Sequence, residues 1–326
     1  MKDFSGWIPM RIYWRESRPL VDWGYMGARR FTEPFFGQTS DRCVERPADL
    51  LFRHQTPLDN LGEIVGSQPS LRPAGFIFHM SRCGSTLISQ MLAATAENIV
   101  LSEPPPVDAI LRAHLRESGI TEERRVQWLQ WLVGVLAWQR HPAEKNLFVK
   151  FDCWHTLFLP LIQRAFPGVP WIFLYREPVE VMASHLGHRG AQMIPTVLEP
   201  SLFGWDLPTI EQMVYNEYGV RVLAKICAAA LAQAGSGNGK LVNYHQLPES
   251  IWPALMEHWQ VKFPEAETAR MRAAASLNAK NPAMPFEADS QAKRNSVTGE
   301  LRALTQQWLE PVYQQLEAQR QAAGLA

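Results

Sequence analysis

Apolar residues recur along this chain in two kinds of run. Four runs are short, continuous and closed by turn residues, covering 74–79, 147–151, 170–175 and 240–244. Runs of that length suit strands buried on both faces of a parallel sheet. A shorter run at 98–101 leads into Pro104, Pro105 and Pro106, which reads as a stop. Between the runs the apolar positions take helical spacing. The spacing predicts helices over about 86–96, 122–139, 155–165, from Pro178 onward, and over 208–233, 249–259 and 300–320. Residues 1–72 follow neither pattern. They mix aromatics (Trp7, Trp14, Trp23, Phe35) with scattered proline, glycine and arginine, and read as irregular.

Strands alternating with helices predict an α/β fold, a parallel sheet flanked by helices. The expected division is an N-terminal extension, 1–72, and one domain, 73–326. In such sheets ligands bind at the carboxyl ends of the strands. That directs attention to the residues just after 79, 101, 151, 175 and 244.

Composition narrows the possibilities. The chain has 326 residues, 46% of them hydrophobic, which is enough for a sizeable core. Lys and Arg together number 32, as do Asp and Glu, so the formal charge is zero and no nucleic-acid partner is expected. Four cysteines without a CxxC pair point to a reducing compartment rather than a disulfide framework. The start carries no apolar stretch of the secretory kind. The longest apolar run, 128–138, is too short to span a bilayer. A soluble, cytoplasmic protein without a membrane partner is expected. Trp128, Trp131 and Trp138 keep helical spacing and read as core.

The segment His79-Met-Ser-Arg-Cys-Gly-Ser-Thr86 joins the first strand to a helix. Such a loop points backbone N–H groups at one place, at the positive end of a helix dipole. Ser85 and Thr86 add hydroxyls, and Arg82 adds a charge-assisted donor. A P-loop kinase would carry Lys after the glycine. Here Ser85 follows Gly84, and no acidic residue is evidently placed for magnesium. A second candidate anion site follows the strand 170–175, where Arg176 ends a strand and Ser184 lies two turns into the next helix. The two could grip one phosphate. His185 and His188 sit three apart, without an evident Cys or carboxylate partner for a metal.

The pairing of these two sites resembles the sulfotransferase superfamily, whose donor is 3′-phosphoadenosine 5′-phosphosulfate (PAPS) and whose nucleotide product is 3′-phosphoadenosine 5′-phosphate (PAP). Ser81-Arg-Cys-Gly-Ser-Thr86 resembles the family's P-[RK]-S-G-[ST]-[ST] loop, with Ser for Pro and Cys83 as a small residue for Ser. Tyr175-Arg-Glu-Pro-Val-Glu-Val-Met-Ala-Ser184 resembles its 3′-phosphate segment, with Glu177 where Asn or Asp is usual. The likeness covers about 74–250. It is closer to the tyrosylprotein, heparan-type and bacterial enzymes than to the cytosolic small-molecule ones.

The resemblance implies donor contacts from Arg82, Cys83, Gly84, Ser85, Thr86, Arg176 and Ser184. It adds Tyr244 beside the nucleotide and the basic segment around Lys293, and it implies no metal. It implies Lys150 and Arg82 as positive groups and a carboxylate base. Glu103 is ranked first for the base, then Asp152, where the cytosolic enzymes have His, then His155. A carboxylate in that role is expected to have its pKa raised by burial. The acceptor, a small molecule or a peptide offering a hydroxyl or amine, is not legible. Residues 1–72 could line its pocket or form a homodimer contact. A small-metabolite kinase and a non-catalytic nucleotide-binding protein are the competing readings.

Overall fold

The structure, a computed structural model, describes residues 3–45, 47–51, 54–235, 237–280 and 297–324. Three strands open the chain: β1 (Trp7–Arg15), β2 (Arg18–Tyr25) and β3 (His54–Pro57). They form an antiparallel sheet in that order. The expectation of an irregular 1–72 is corrected here, and its cause is local. Glu16 and Ser17 form the two-residue turn between β1 and β2, both at positive φ (49° and 60°). Such turns are normally announced by Asn-Gly or Asp-Gly, and Glu-Ser gives no such sign. A register shift between Pro9 and Arg11 breaks the alternation as well.

The second sheet is the one expected. Strands β4 (Pro73–His79), β5 (Asn98–Ser102), β6 (Asn146–Lys150), β7 (Trp171–Tyr175) and β8 (Gly239–Asn243) are all parallel, in the order β5-β6-β4-β7-β8. Helices α1 (Ser85–Ala93), α2 (Pro105–Leu111), α3 (Glu122–Leu136), α4 (Leu159–Ala165), α5 (Pro178–Gly187) and α6 (Tyr215–Ala234) connect and cover them. Helices α7 (Gly299–Trp308) and α8 (Glu310–Ala322) close the chain. Every residue of β5 and β7 is buried, which is why those strands read as continuous apolar runs. Full burial of Phe173 stabilises the fold by about 1.5–3 kcal/mol. β4 lies centrally, with β6 and β7 on either side. The chain's crossovers therefore leave a crevice at the carboxyl end of β4.

Several boundaries differ from expectation; the helix expected over 249–259, for one, shrinks to Ala254–His258 after an extended Trp252. The proline run opens α2 instead of stopping a strand, because Pro105 and Pro106 occupy first-turn positions that need no N–H partner. The helix expected over 208–233 breaks at Val214, which is extended and leads into α6. The last helix breaks at Leu309, just ahead of Pro311 in the first turn of α8.

The two sheets share one contiguous core. Trp128 is buried and its Nε1–H donates to Asp59 Oδ1 (2.7 Å), while Trp138 Nε1–H donates to Val65 O (3.1 Å). Trp131 packs so closely on Gly62 that a Cβ there would meet its ring at 2.7 Å. Among the described residues no helix is long and apolar enough to cross a membrane.

Candidate active site

Each strand of the parallel sheet delivers a polar residue at its carboxyl end. β4 delivers His79 and the loop to Thr86, β5 Glu103, β6 Lys150, β7 Arg176 and β8 Tyr244. All but Lys150 line one cavity of about 880 Å³, which also takes in Phe35, Asp152, Trp154, Ser184 and Gln192. That volume lies within the range of sites for small molecules and nucleotides.

The loop 80–84 holds an unusual backbone. Ser81, Arg82 and Gly84 all have positive φ (84°, 52° and 89°). Two non-glycine residues in that region mark a strained turn, held by its surroundings. The Ser81 N–H donates to His79 Nδ1 (3.0 Å), and Gln192 Nε2 donates to Ser81 Oγ (3.2 Å). Cys83 is fully buried, with its thiol donating to Leu174 O (3.2 Å) on β7, and burial pushes its pKa up to about 12. Cys83 thus anchors the loop as a small buried group. Ser85 and Thr86 begin α1 and face the cavity, so the helix N-terminus opens on it.

Arg82, from the loop, and Arg176, after β7, both line the cavity. Arg82 is half-buried and donates through Nη2 to the carbonyl of His188. Arg176 is buried, its Nε 2.6 Å from Glu180 Oε2 and its guanidinium carbon 4.0 Å from the centre of the Tyr244 ring. Any anion held by Arg176 shares it with Glu180. Ser184 lies one turn beyond Glu180 on α5 and faces the same space.

Lys150 does not open onto the cavity. Its side chain is fully covered, with Nζ 3.0 Å from Glu103 Oε1, 3.3 Å from Thr86 Oγ1 and 4.8 Å from the centre of the Phe35 ring. Lys150 therefore ties the carboxylate to the start of α1 from behind. His79 Nε2 approaches the same Oε1 at 3.4 Å. Glu103 has positive φ (54°), and its N–H donates to Lys150 O (2.7 Å).

The carboxylates depart from the expected raised pKa in an instructive way. Burial alone would raise Glu103, but Lys150 and His79 outweigh it and hold the carboxyl down at about 2. Asp152 is the one raised well above the usual range, by burial and by the charges of Glu103 and Asp108. His155, the third candidate, is spent elsewhere. Its Nδ1 accepts the Asp152 N–H (3.2 Å), its Nε2–H donates to Asp108 Oδ1 (2.9 Å), and the ring is fully buried. It cannot meet an acceptor.

Several participants left no mark in the sequence. Phe35 comes from the segment read as irregular, Gln192 belongs to no motif, and His79 opens the loop segment without a role of its own being assigned. Asp108 ties His155, Trp154 Nε1–H (2.7 Å) and Arg112 Nε–H (3.0 Å) together behind Asp152. His185 is buried, and burial followed by the charge of Arg82 lowers its pKa to about 3. His188 lies past the end of α5, so the two imidazoles do not share a helix face. Among the described residues no group of three His, Cys, Asp or Glu could hold a metal ion. Lys293 lies outside the described residues.

No family model and no curated protein matches the chain. Several solved structures resemble it. The sulfotransferase domain from the curacin biosynthetic pathway is 18% identical, with a TM-score of 0.46, covering 73% of this chain and 98% of that one. A sulfotransferase from Alicyclobacillus acidocaldarius is 13% identical, TM-score 0.44, covering 77% and 96%. Retinol dehydratase in complex with androsterone and inactive cofactor PAP is 16% identical, TM-score 0.40, covering 80% and 88%.

Proposed function

We propose that this cleft transfers a sulfuryl group from PAPS to a hydroxyl or amine of an acceptor. One observation carries the reading: Arg82 and Arg176 line a single cavity together with a strand–loop–helix anion cradle. Two separated cationic sites suit a nucleotide that is phosphorylated at both ends. The donors present fit it. The loop N–H groups, Ser85, Thr86 and Arg82 would hold the phosphosulfate end, with Arg176, Ser184 and the Tyr244 ring at the other. Bound there, the donor supplies an activated sulfuryl group.

The remaining chemistry belongs to this chain. The contacts from Lys150 and His79 both fall on Oε1 of Glu103, which leaves Oε2 for the acceptor's proton. A general base contributes about 10²–10⁴-fold. Lys150 lies between Glu103 and Thr86 at 3.0 and 3.3 Å. When Glu103 takes a proton its negative charge is lost, and the Lys150 charge then acts mainly on the loop side. Negative charge grows there as the leaving phosphate departs. Proton uptake and leaving-group stabilisation are thereby linked through one ammonium. Asp152 faces the same space and holds its proton to higher pH, so it can donate a hydrogen bond to the acceptor.

Calorimetric titration with PAP tests the donor half. Low-micromolar binding is expected, and none at high micromolar nucleotide would overturn the reading. Glu103→Gln should bind PAP within a few-fold of wild type yet lose about 10²–10⁴-fold in sulfuryl transfer. Magnesium-dependent ATP consumption without PAP binding would point to a kinase instead.

A further inference from the structure

We infer that His79 is a positioning residue that holds the turn of the phosphate loop and the carboxylate of Glu103 in register. The inference rests on the reading of Glu103 as proton acceptor. His79 is the last residue of β4 and is buried. Its two nitrogens face two different parts of the site. Nδ1 accepts the Ser81 N–H at 3.0 Å, so in the neutral ring the proton sits on Nε2. Burial keeps the ring neutral by lowering its pKa. The Nε2 edge of the ring lies 3.4 Å from Glu103 Oε1, with the Phe151 backbone also reaching the imidazole.

The residues at both ends of this bridge are strained. Ser81 and Glu103 each have positive φ without being glycine (84° and 54°). Such conformations persist only where the surroundings over-determine them. The imidazole is one rigid group that touches both. Its Nε2 already carries a proton, so it cannot take one from the acceptor. It acts through Glu103, as a fixed donor beside Lys150. The other charged group facing this carboxylate is Asp152, from the segment after β6.

Two variants separate the arms. Asn at 79 can offer an acceptor to the Ser81 N–H but cannot reach Glu103. Gln can reach Glu103 but places no acceptor at the Nδ1 position. The full chain, labelled with ¹⁵N-histidine and ¹³C-carboxyl glutamate, is compared by NMR with its His79→Asn and His79→Gln variants. The wild-type ring should be the Nε2–H tautomer. His79→Asn should raise the Glu103 pKa by about one unit and leave Ser81 amide exchange unchanged. His79→Gln should speed Ser81 exchange about fivefold or more and leave the Glu103 titration in place. An Nδ1–H tautomer, or a Glu103 titration unmoved in His79→Asn, would overturn the proposal. If either variant fails to fold, the wild-type tautomer alone decides. None of these readouts uses a nucleotide, so failure of PAP binding would strike the donor assignment and leave this test standing.

Discussion

The contrast between Glu103 and Asp152 shows how neighbours decide what burial does to a carboxyl. Both are enclosed, yet one is held ionised by a covered lysine and the other faces two carboxylates. The sequence could place both at strand ends, but the sign of each shift needs distances that no spacing contains. A raised folded-state pKa contributes stability below the unfolded value, near 3.8, and that contribution is lost as pH rises through the folded value. Asp152→Asn should therefore raise the melting temperature increasingly as pH rises from 4 to 8, which differential scanning calorimetry would register. For Glu103 the sign is opposite: its contribution is present above about 4.5 and is lost as pH falls toward about 2. Removing that carboxylate leaves the Lys150 ammonium buried and uncompensated. Glu103→Gln should accordingly cost about 3–5 kcal/mol in urea unfolding at pH 7.

At the level of elements, the parallel strands were legible because two-sided burial leaves continuous apolar runs. The loop between β4 and α1 was legible because a glycine and hydroxyls follow one of those runs directly. What stayed hidden was how the loop is braced. Gly84 has φ +89°, and a Cβ there would meet Leu247 Cδ1 at 2.7 Å and Tyr244 Cδ2 at 3.0 Å. Tyr244 is the ring against which Arg176 rests. Gly84→Ala should lose about 1–3 kcal/mol of stability. It should also weaken PAP binding by displacing Tyr244, to be read by chemical unfolding and calorimetric titration. The antiparallel sheet was missed for the reverse reason. A Glu-Ser turn and a bulge erase the two signals by which hairpins are recognised.

For the molecule as a whole, the N-terminal sheet behaves as part of the body. β1 packs on α2 and α3, and Phe35 stands over Lys150 at the cavity. Trp23 is fully buried in that sheet, its Nε1–H donating to Thr56 Oγ1 at 3.0 Å. Because the core is contiguous, a single thermal transition is expected. Trp23→Ala should lower that whole transition, at a cost of about 3–5 kcal/mol, rather than split it. Two separate transitions in calorimetry would show that the sheets fold apart.

All four thiols, at Cys43, Cys83, Cys153 and Cys227, are enclosed and held in the unreactive protonated form by their surroundings. An alkylating reagent can reach each of them only after its own neighbourhood has come apart. The molecule thus carries four internal clocks, at the first sheet, the loop after β4, the carboxylate cluster and α6. The order in which they are modified would map which region breathes first, and a nucleotide that seats in the loop should slow the one at 83 most.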